Sequence, residues 1–277
     1  MRQKGISFKI QKIIVACDGC TDNTVEKVNS LHSKHIPITI LEDDKRLGKM
    51  DRLNQIYALN TSEILITLDA DLVLLGNNAI QNVLMAFADQ NVVIAVFHQE
   101  PIPSDSFFGN VFRASDLFWI ETRKYLNYGD HIQNLQGSAT AMRKIVADHV
   151  HYPSWLNTDA EYLYVKAKKL GKFKYAYDAK AAYRAPDTFN DFWSIGSRAI
   201  FYRKKPLEVI EDKNNKTFKI PWKYKIMGIA RTFWKFPLYT TFALFFNVLV
   251  RLLPKKNQEV KSKTWEMAQS ARKAIKI

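Results

Sequence analysis

Short apolar runs alternate with amphipathic runs through the first hundred residues, and that alternation restricts the possible folds more than any other feature of the chain. Ile13 to Ala16, Ile36 to Leu41 and Ile64 to Asp69 read as strands, and Val92 to Phe97 as a further β-rich run. Between them Asn23 to Ser33, Lys49 to Leu59 and Asn77 to Asp89 repeat apolar residues at helical spacing. Short connections joining such elements build βαβ units, which predicts an α/β fold with a mostly parallel sheet covered on both faces. Ligands of these sheets gather beyond the carboxyl ends of the strands, so the residues after each run are where chemistry is expected.

Those residues are acidic. After Ile13 to Ala16 comes Cys17-Asp18-Gly19-Cys20-Thr21-Asp22, where Gly19 suits a tight turn and Thr21 or Asp22 suits a helix cap. After the second run, Glu42 to Lys49 forms a charged loop in which Gly48 and Lys49 suit either a phosphate at a helix start or plain solvation. The third run passes straight into Asp69-Ala70-Asp71. Two carboxylates one residue apart at the end of an apolar strand repel unless a cation lies between them. A divalent metal bridging phosphate oxygens supplies one, and capping of the next turn is the competing explanation.

The hydrophobic content of 47% against 25% charged residues is that of a globular chain and excludes a disordered or fibrous one. The formal charge of +14 is not spread evenly. Residues 1–200 carry 23 basic and 22 acidic side chains, whereas residues 201–277 carry 18 and 5. Cys17 and Cys20 cannot make a disulfide framework, which points to a reducing compartment. Their C-x-x-C spacing has no second pair or nearby His to complete a zinc site, so packing at a turn is the better reading. No secretory signal is visible in Met1 to Lys12, which places the body on the cytoplasmic side.

Taken in order, these residues resemble the family-2 glycosyltransferases of GT-A fold over about Lys12 to Lys204. Ile13 to Thr24 is similar to the family's strand and D-G-S-T-D-x-T turn, with Cys20 in place of the serine. Arg46 to Asn54 resembles its R-G-K-x-x-A-L-N stretch, and Asp69-Ala70-Asp71 its D-x-D. The resemblance implies a Rossmann-like sheet with flanking helices that binds a nucleotide-diphosphate sugar. Asp18 would contact the nucleotide base, Asp69 would help hold the nucleotide, and Asp71 would coordinate Mg²⁺ or Mn²⁺ on the diphosphate. Leu135 to Lys144 looks like the family's G-x-x-x-A-x-R-R strand beside the sugar and acceptor, with a plain buried strand as the alternative. Asn157 to Leu163 falls where the family carries T-E-D-x-D-L, so Asp159 or Glu161 would serve as the base of an inverting transfer, with N-capping by Asp159 as the alternative. Phe192 to Arg198 keeps the arginine of Q-x-x-R-W but not its glutamine. Lys49, Arg143 or Arg198 would offset phosphate charge, with a surface helix arginine as the alternative for Arg198.

The family opens with one further strand and a P-x-x-N-E-type turn, and nothing before Lys12 resembles them. Two functions are therefore expected: sugar transfer to a glycan or lipid-linked acceptor, or a non-catalytic relative that binds a membrane or partner. The expected division is a glycosyltransferase-like domain over residues 1–204 and a basic helical tail over 205–277. In that tail Phe236 to Val250 is a run of 15 residues without a formal charge, flanked by Lys223, Lys225, Arg231 and Lys235 before it and Arg251, Lys255 and Lys256 after it. The run is short for a membrane span, and aromatic residues interleaved with Lys and Arg suit an anionic membrane surface. A helical pair packed on the body is the alternative. Nucleic acid is not expected, because no nucleic-acid motif accompanies the charge.

Overall fold

The computed structural model describes residues 8–31, 35–156, 158–202, 219–252 and 275, without the side chains of 197–202. The elements follow the sequence pattern closely: β1 (Ile13–Asp18), α1 (Thr24–Asn29), β2 (Ile38–Asp43), α2 (Lys49–Ala58), β3 (Ile64–Leu68) and β4 (Leu72–Leu74). Next come α3 (Ala79–Leu84), β5 (Val92–Pro101), α4 (Phe107–Arg123), β6 (Ala139–Arg143), α5 (Lys144–His149), α6 (Ala160–Leu170) and β7 (Lys172–Tyr183). Three further helices end the described chain: α7 (Phe189–Tyr202), α8 (Trp222–Lys235) and α9 (Pro237–Leu252).

The central sheet has the order β3-β6-β5-β7-β4. Its middle strand explains the continuous apolar run seen in the sequence. Ile94 and Val96 of β5 pack into one core with Met142, Val146, Leu163 and Phe173, while Ala95 and Phe97 pack into a second with Ala141, Val83 and Phe87. A strand covered on both faces has no side to leave polar.

The expectation of a mostly parallel sheet needs correction at two strands. β1 pairs β2 and β5 pairs β7 in parallel, but β6 runs against both β3 and β5, and β4 against β7. The reasons are local. Helix α4 packs chiefly on α8 and α9 instead of crossing back over the sheet, so β6 re-enters at the end where β5 finished. Strand β4 follows β3 after only Asp69 to Asp71, too short a link for a crossover helix.

The pair β1 and β2 forms a separate sheet. Among the described residues, β1 has no partner on the edge away from β2, and β3 has none on the edge away from β6. Both strands border one cavity of about 1970 Å³, along Ile13 to Ala16 and along Ile64 to Leu68. Helix α2 contributes Leu53 and Ile56 to the same cavity.

The described part of residues 205–277 packs on the body. Buried Val111, Phe112, Ala114 and Ala243 share a core with Phe189, Phe192 and Phe246, joining α4, α7 and α9. Asn247 donates to the Ser115 hydroxyl at 2.7 Å. Gly228 lets α8 lie flat on α4, since a Cβ there would meet Thr122 Oγ1 at 2.1 Å and the Phe118 carbonyl oxygen at 3.0 Å. Gly228→Ala should therefore cost about 1–3 kcal/mol of stability through overpacking, seen as a lower urea midpoint.

Candidate active site

Helix α2 organises the carboxyl ends of the strands. Its first residue, Lys49, places Nζ 2.9 Å from both oxygens of Asp69 and 3.1 Å from Asp159 Oδ2. Burial works against this ammonium, but Asp159 and Asp69 more than offset it and hold its pKa above the usual lysine range. Asp69 is pushed upward by its own burial and by Asp159 and Asp71, with Lys49 pulling the other way.

One turn later on α2, buried Arg52 donates to Asp18 at 3.1 Å, Asp43 at 2.6 Å and the Cys17 carbonyl at 3.1 Å. Asn54 then exchanges two 2.9 Å bonds with the backbone of Tyr152, anchoring the segment that leads to Asp159. Asp18, expected at the nucleotide base, accepts from the backbone N–H of Leu47 at 2.8 Å and of Gly48 at 3.0 Å. It lines the cavity while holding the loop that starts α2. Gly19, at φ 63°, allows this loop to approach, because a Cβ there would lie 2.9 Å from the Arg46 nitrogen.

Asp159 stands at the start of α6, buried beneath Gly137, where a Cβ would fall 1.9 Å from its Oδ2. The glycine of the Gln136-Gly137-Ser138 segment is thus what lets β6 and α6 meet at Lys49. Asp71 is exposed and lines the cavity beside Asp69. Glu161 lies in the first turn of α6, and neither it nor Asp159 is among the residues lining the cavity.

Arg143 is placed elsewhere. It pairs in register with Ile64, at the opposite end of β3 from Asp69 and roughly 17 Å away along the strand. Its guanidinium bonds the carbonyls of Val92 and Phe87 and the Glu63 carboxylate, which makes it a clamp on the sheet's far end. The antiparallel direction of β6 is the reason: Gly137 and Ser138 come to the site and the strand carries Arg143 away. Arg198 lies in α7, and its side chain is outside the described residues.

The cavity also reaches residues that the sequence reading did not single out. Asp116 of α4, partly buried, accepts a 3.0 Å bond from the Tyr183 hydroxyl and lines the cavity together with Arg123 and Arg184. Burial pushes Asp116 up to about 6, against the Tyr183 hydrogen bond and the charge of Arg123. Nothing in the local sequence marks this residue; only the packing of α4 against β7 does. Arg52 and Asn54 stand inside the Arg46 to Asn54 stretch, and their anchoring roles follow from the tertiary contacts.

Asp69 and Asp71 provide hard oxygen donors at one strand end, which suits Mg²⁺ or Mn²⁺. Among the described residues no group of three or more His, Cys, Asp or Glu forms a complete ion cage. The remaining ligands would come from phosphate oxygens and water, as is usual for Mg²⁺.

An α/β sheet whose strand ends bring Asp18, Lys49, Asp69 and Asp71 to a large cavity, with Asp159 paired to Lys49 beside it, has the layout of a nucleotide-sugar transferase of GT-A type. The model of glycosyl transferase family 2 matches residues 2–151, and the chain belongs to that family. Among solved structures, the fold is shared with a mannosyltransferase from Pyrobaculum calidifontis, PcManGT, in complex with GDP-Man and Mn²⁺. That likeness has a TM-score of 0.53 at 19% identity, covering 88% of this chain and 68% of the other. Residues 1–349 of TarS from S. aureus align at a TM-score of 0.45 and 12% identity, over 79% of this chain and 68% of that one. No curated protein sequence matches.

Two outcomes are expected. Gly137→Ala should separate Asp159 from Lys49 and cost about 1–3 kcal/mol in denaturant unfolding. Asp116 holds its proton more tightly folded than unfolded, so stability should fall as pH rises from 3.8 through about 6. Asp116→Asn should escape that loss and, by pH 7, gain on the order of 3 kcal/mol relative to the wild type in unfolding curves.

Proposed function

We propose that the chain transfers a sugar from a nucleotide-diphosphate donor to a glycan or lipid-linked acceptor, with inversion and with help from Mg²⁺ or Mn²⁺. The observation that carries the reading is the bridge from Lys49 to both Asp69 and Asp159, beside Asp71 at the head of the cavity. The GDP-Man and Mn²⁺ held by the mannosyltransferase neighbour support the donor class and the metal.

In this reading Asp69 and Asp71 hold the metal, which supplies charge stabilisation for the leaving diphosphate when bound. Lys49 faces the same phosphates from the start of α2, where the helix end also favours negative charge. An arriving diphosphate competes with the two aspartates for the Lys49 ammonium. Drawing Lys49 toward the phosphates uncovers Asp159, which then takes the proton of the acceptor hydroxyl. Asp159, paired to Lys49 at 3.1 Å, is a stronger candidate for that step than Glu161.

A second reading is a relative that keeps the fold without transferring sugar. Among the described residues β1 and β3 each lack a strand partner on the edge that borders the cavity, which favours it. Calorimetry with a panel of nucleoside diphosphates separates the two. Transfer predicts that one nucleotide binds in the presence of Mn²⁺ and that Asp71→Asn weakens this binding about tenfold or more. A folded wild-type chain that binds none of them would sink the enzyme reading, and equal binding by Asp71→Asn would remove the metal from it.

A further inference from the structure

Helices α8 and α9 bury one side against the body and leave the other apolar side uncovered. The inner side is formed by Gly228, Thr232, Thr240, Ala243 and Val250. The outer side of α8 carries Trp222, Ile226 and Trp234, with Trp222 74% and Trp234 90% exposed. On α9, Leu238, Phe245 and Leu252 recur at helical spacing and form one exposed stripe, Phe245 being 60% exposed. Large apolar side chains this exposed add little to the fold, and an uncovered patch of this kind marks an interaction surface.

The charge around this patch is predominantly basic, with the buried Glu121 beneath it paired to Lys124, Arg231 and Lys235. Lys223, Lys225, Lys235 and Arg251 surround it, and the sequence has no Asp or Glu between Lys213 and Gln258. A second copy of the chain would set the same lysines against each other, which disfavours a two-fold pairing through this face. An anionic surface is complementary to it. Among the described residues no helix is long and apolar enough to cross a membrane, and the two helices have 14 and 16 residues. Such helices fit the interfacial plane, with aromatic side chains at headgroup depth and lysines reaching the phosphates.

We propose that the outer face of α8 and α9 docks the protein on an anionic membrane surface, that of the cytoplasmic leaflet. Trp222, Trp234 and Phe245 enter the headgroup layer, and Lys223 and Lys225 pair with lipid phosphates. The transfer cavity ends against Trp119, Asn247 and Val250, beside the inner side of α9. Docking therefore brings that cavity to the lipid headgroups, where a lipid-linked acceptor is at hand. Only this last step rests on the transfer reading.

Vesicle sedimentation of the full chain tests the docking without reference to activity. Phosphatidylcholine vesicles with added phosphatidylglycerol should pellet the protein, and pure phosphatidylcholine vesicles should pellet far less. Brominated lipids should quench the tryptophan emission, and raised salt should weaken binding. Trp234→Ser/Phe245→Ser and Lys223→Gln/Lys225→Gln should each reduce partitioning about tenfold while melting like the wild type by circular dichroism. Failure of the wild type to bind anionic vesicles, or absence of quenching, would overturn the proposal whether or not a variant folds. So would partitioning unchanged in both variants, or a dimer by light scattering that Trp234→Ser/Phe245→Ser dissolves. Metal-dependent nucleotide binding that persists in any of these cases leaves the transfer reading standing and rejects the docking alone.

Discussion

The Lys49 ammonium lies where three separate pieces of chain converge: the start of α2, the end of β3 at Asp69, and the start of α6 at Asp159. Two carboxylates facing one another in a partly closed cleft repel, and the lysine converts that repulsion into the link between them. Its partners hold its pKa above the ordinary lysine range, so the bridge is intact at neutral pH. Removing this cation is costly chiefly for buried Asp159, whose carboxylate would then be desolvated without its partner. The placement of Asp159 follows from this link and from Gly137, which leaves room for the carboxylate that a side chain would occupy.

The rest of α2 extends the same logic across the face of the sheet. Arg52 joins β1 and β2 through Asp18 and Asp43, and Asn54 holds the segment at Tyr152. These contacts tie the small β1–β2 sheet to the central one across the cavity, where no strand hydrogen bonds do so among the described residues. The cavity is therefore spanned by a helix and its charged side chains. At its other end it reaches α4, α7 and α9, so the helices that carry the uncovered apolar face also wall part of the space in which transfer would occur.

Much of this was legible in local sequence. The apolar runs located β1, β2, β3 and β5, and the position of Asp18, Lys49, Asp69 and Asp71 immediately beyond or between such runs brought them to one end of the sheet. Arg143 was not legible in that way. Its motif placed it on the right strand, but a residue's distance from the site depends on strand direction, and β6 runs opposite to β3. Glu161 and Asp159 differ by two positions on one helix start, and only the packing beneath Gly137 distinguishes them. Asp116 carries no sequence signal because its hydrogen-bond partner, Tyr183, lies 67 residues further along the chain.

The sequence by itself determined the α/β class, the acidic strand ends and the one-signed charge of the C-terminal helices, because each depends on residue type at short spacing. Tertiary structure decided which charges meet, which direction β6 and β4 take, and which side of α8 and α9 faces outward. Those depend on contacts between residues far apart in the chain, where burial and the loss of water turn a charge into either a bridge or a cost.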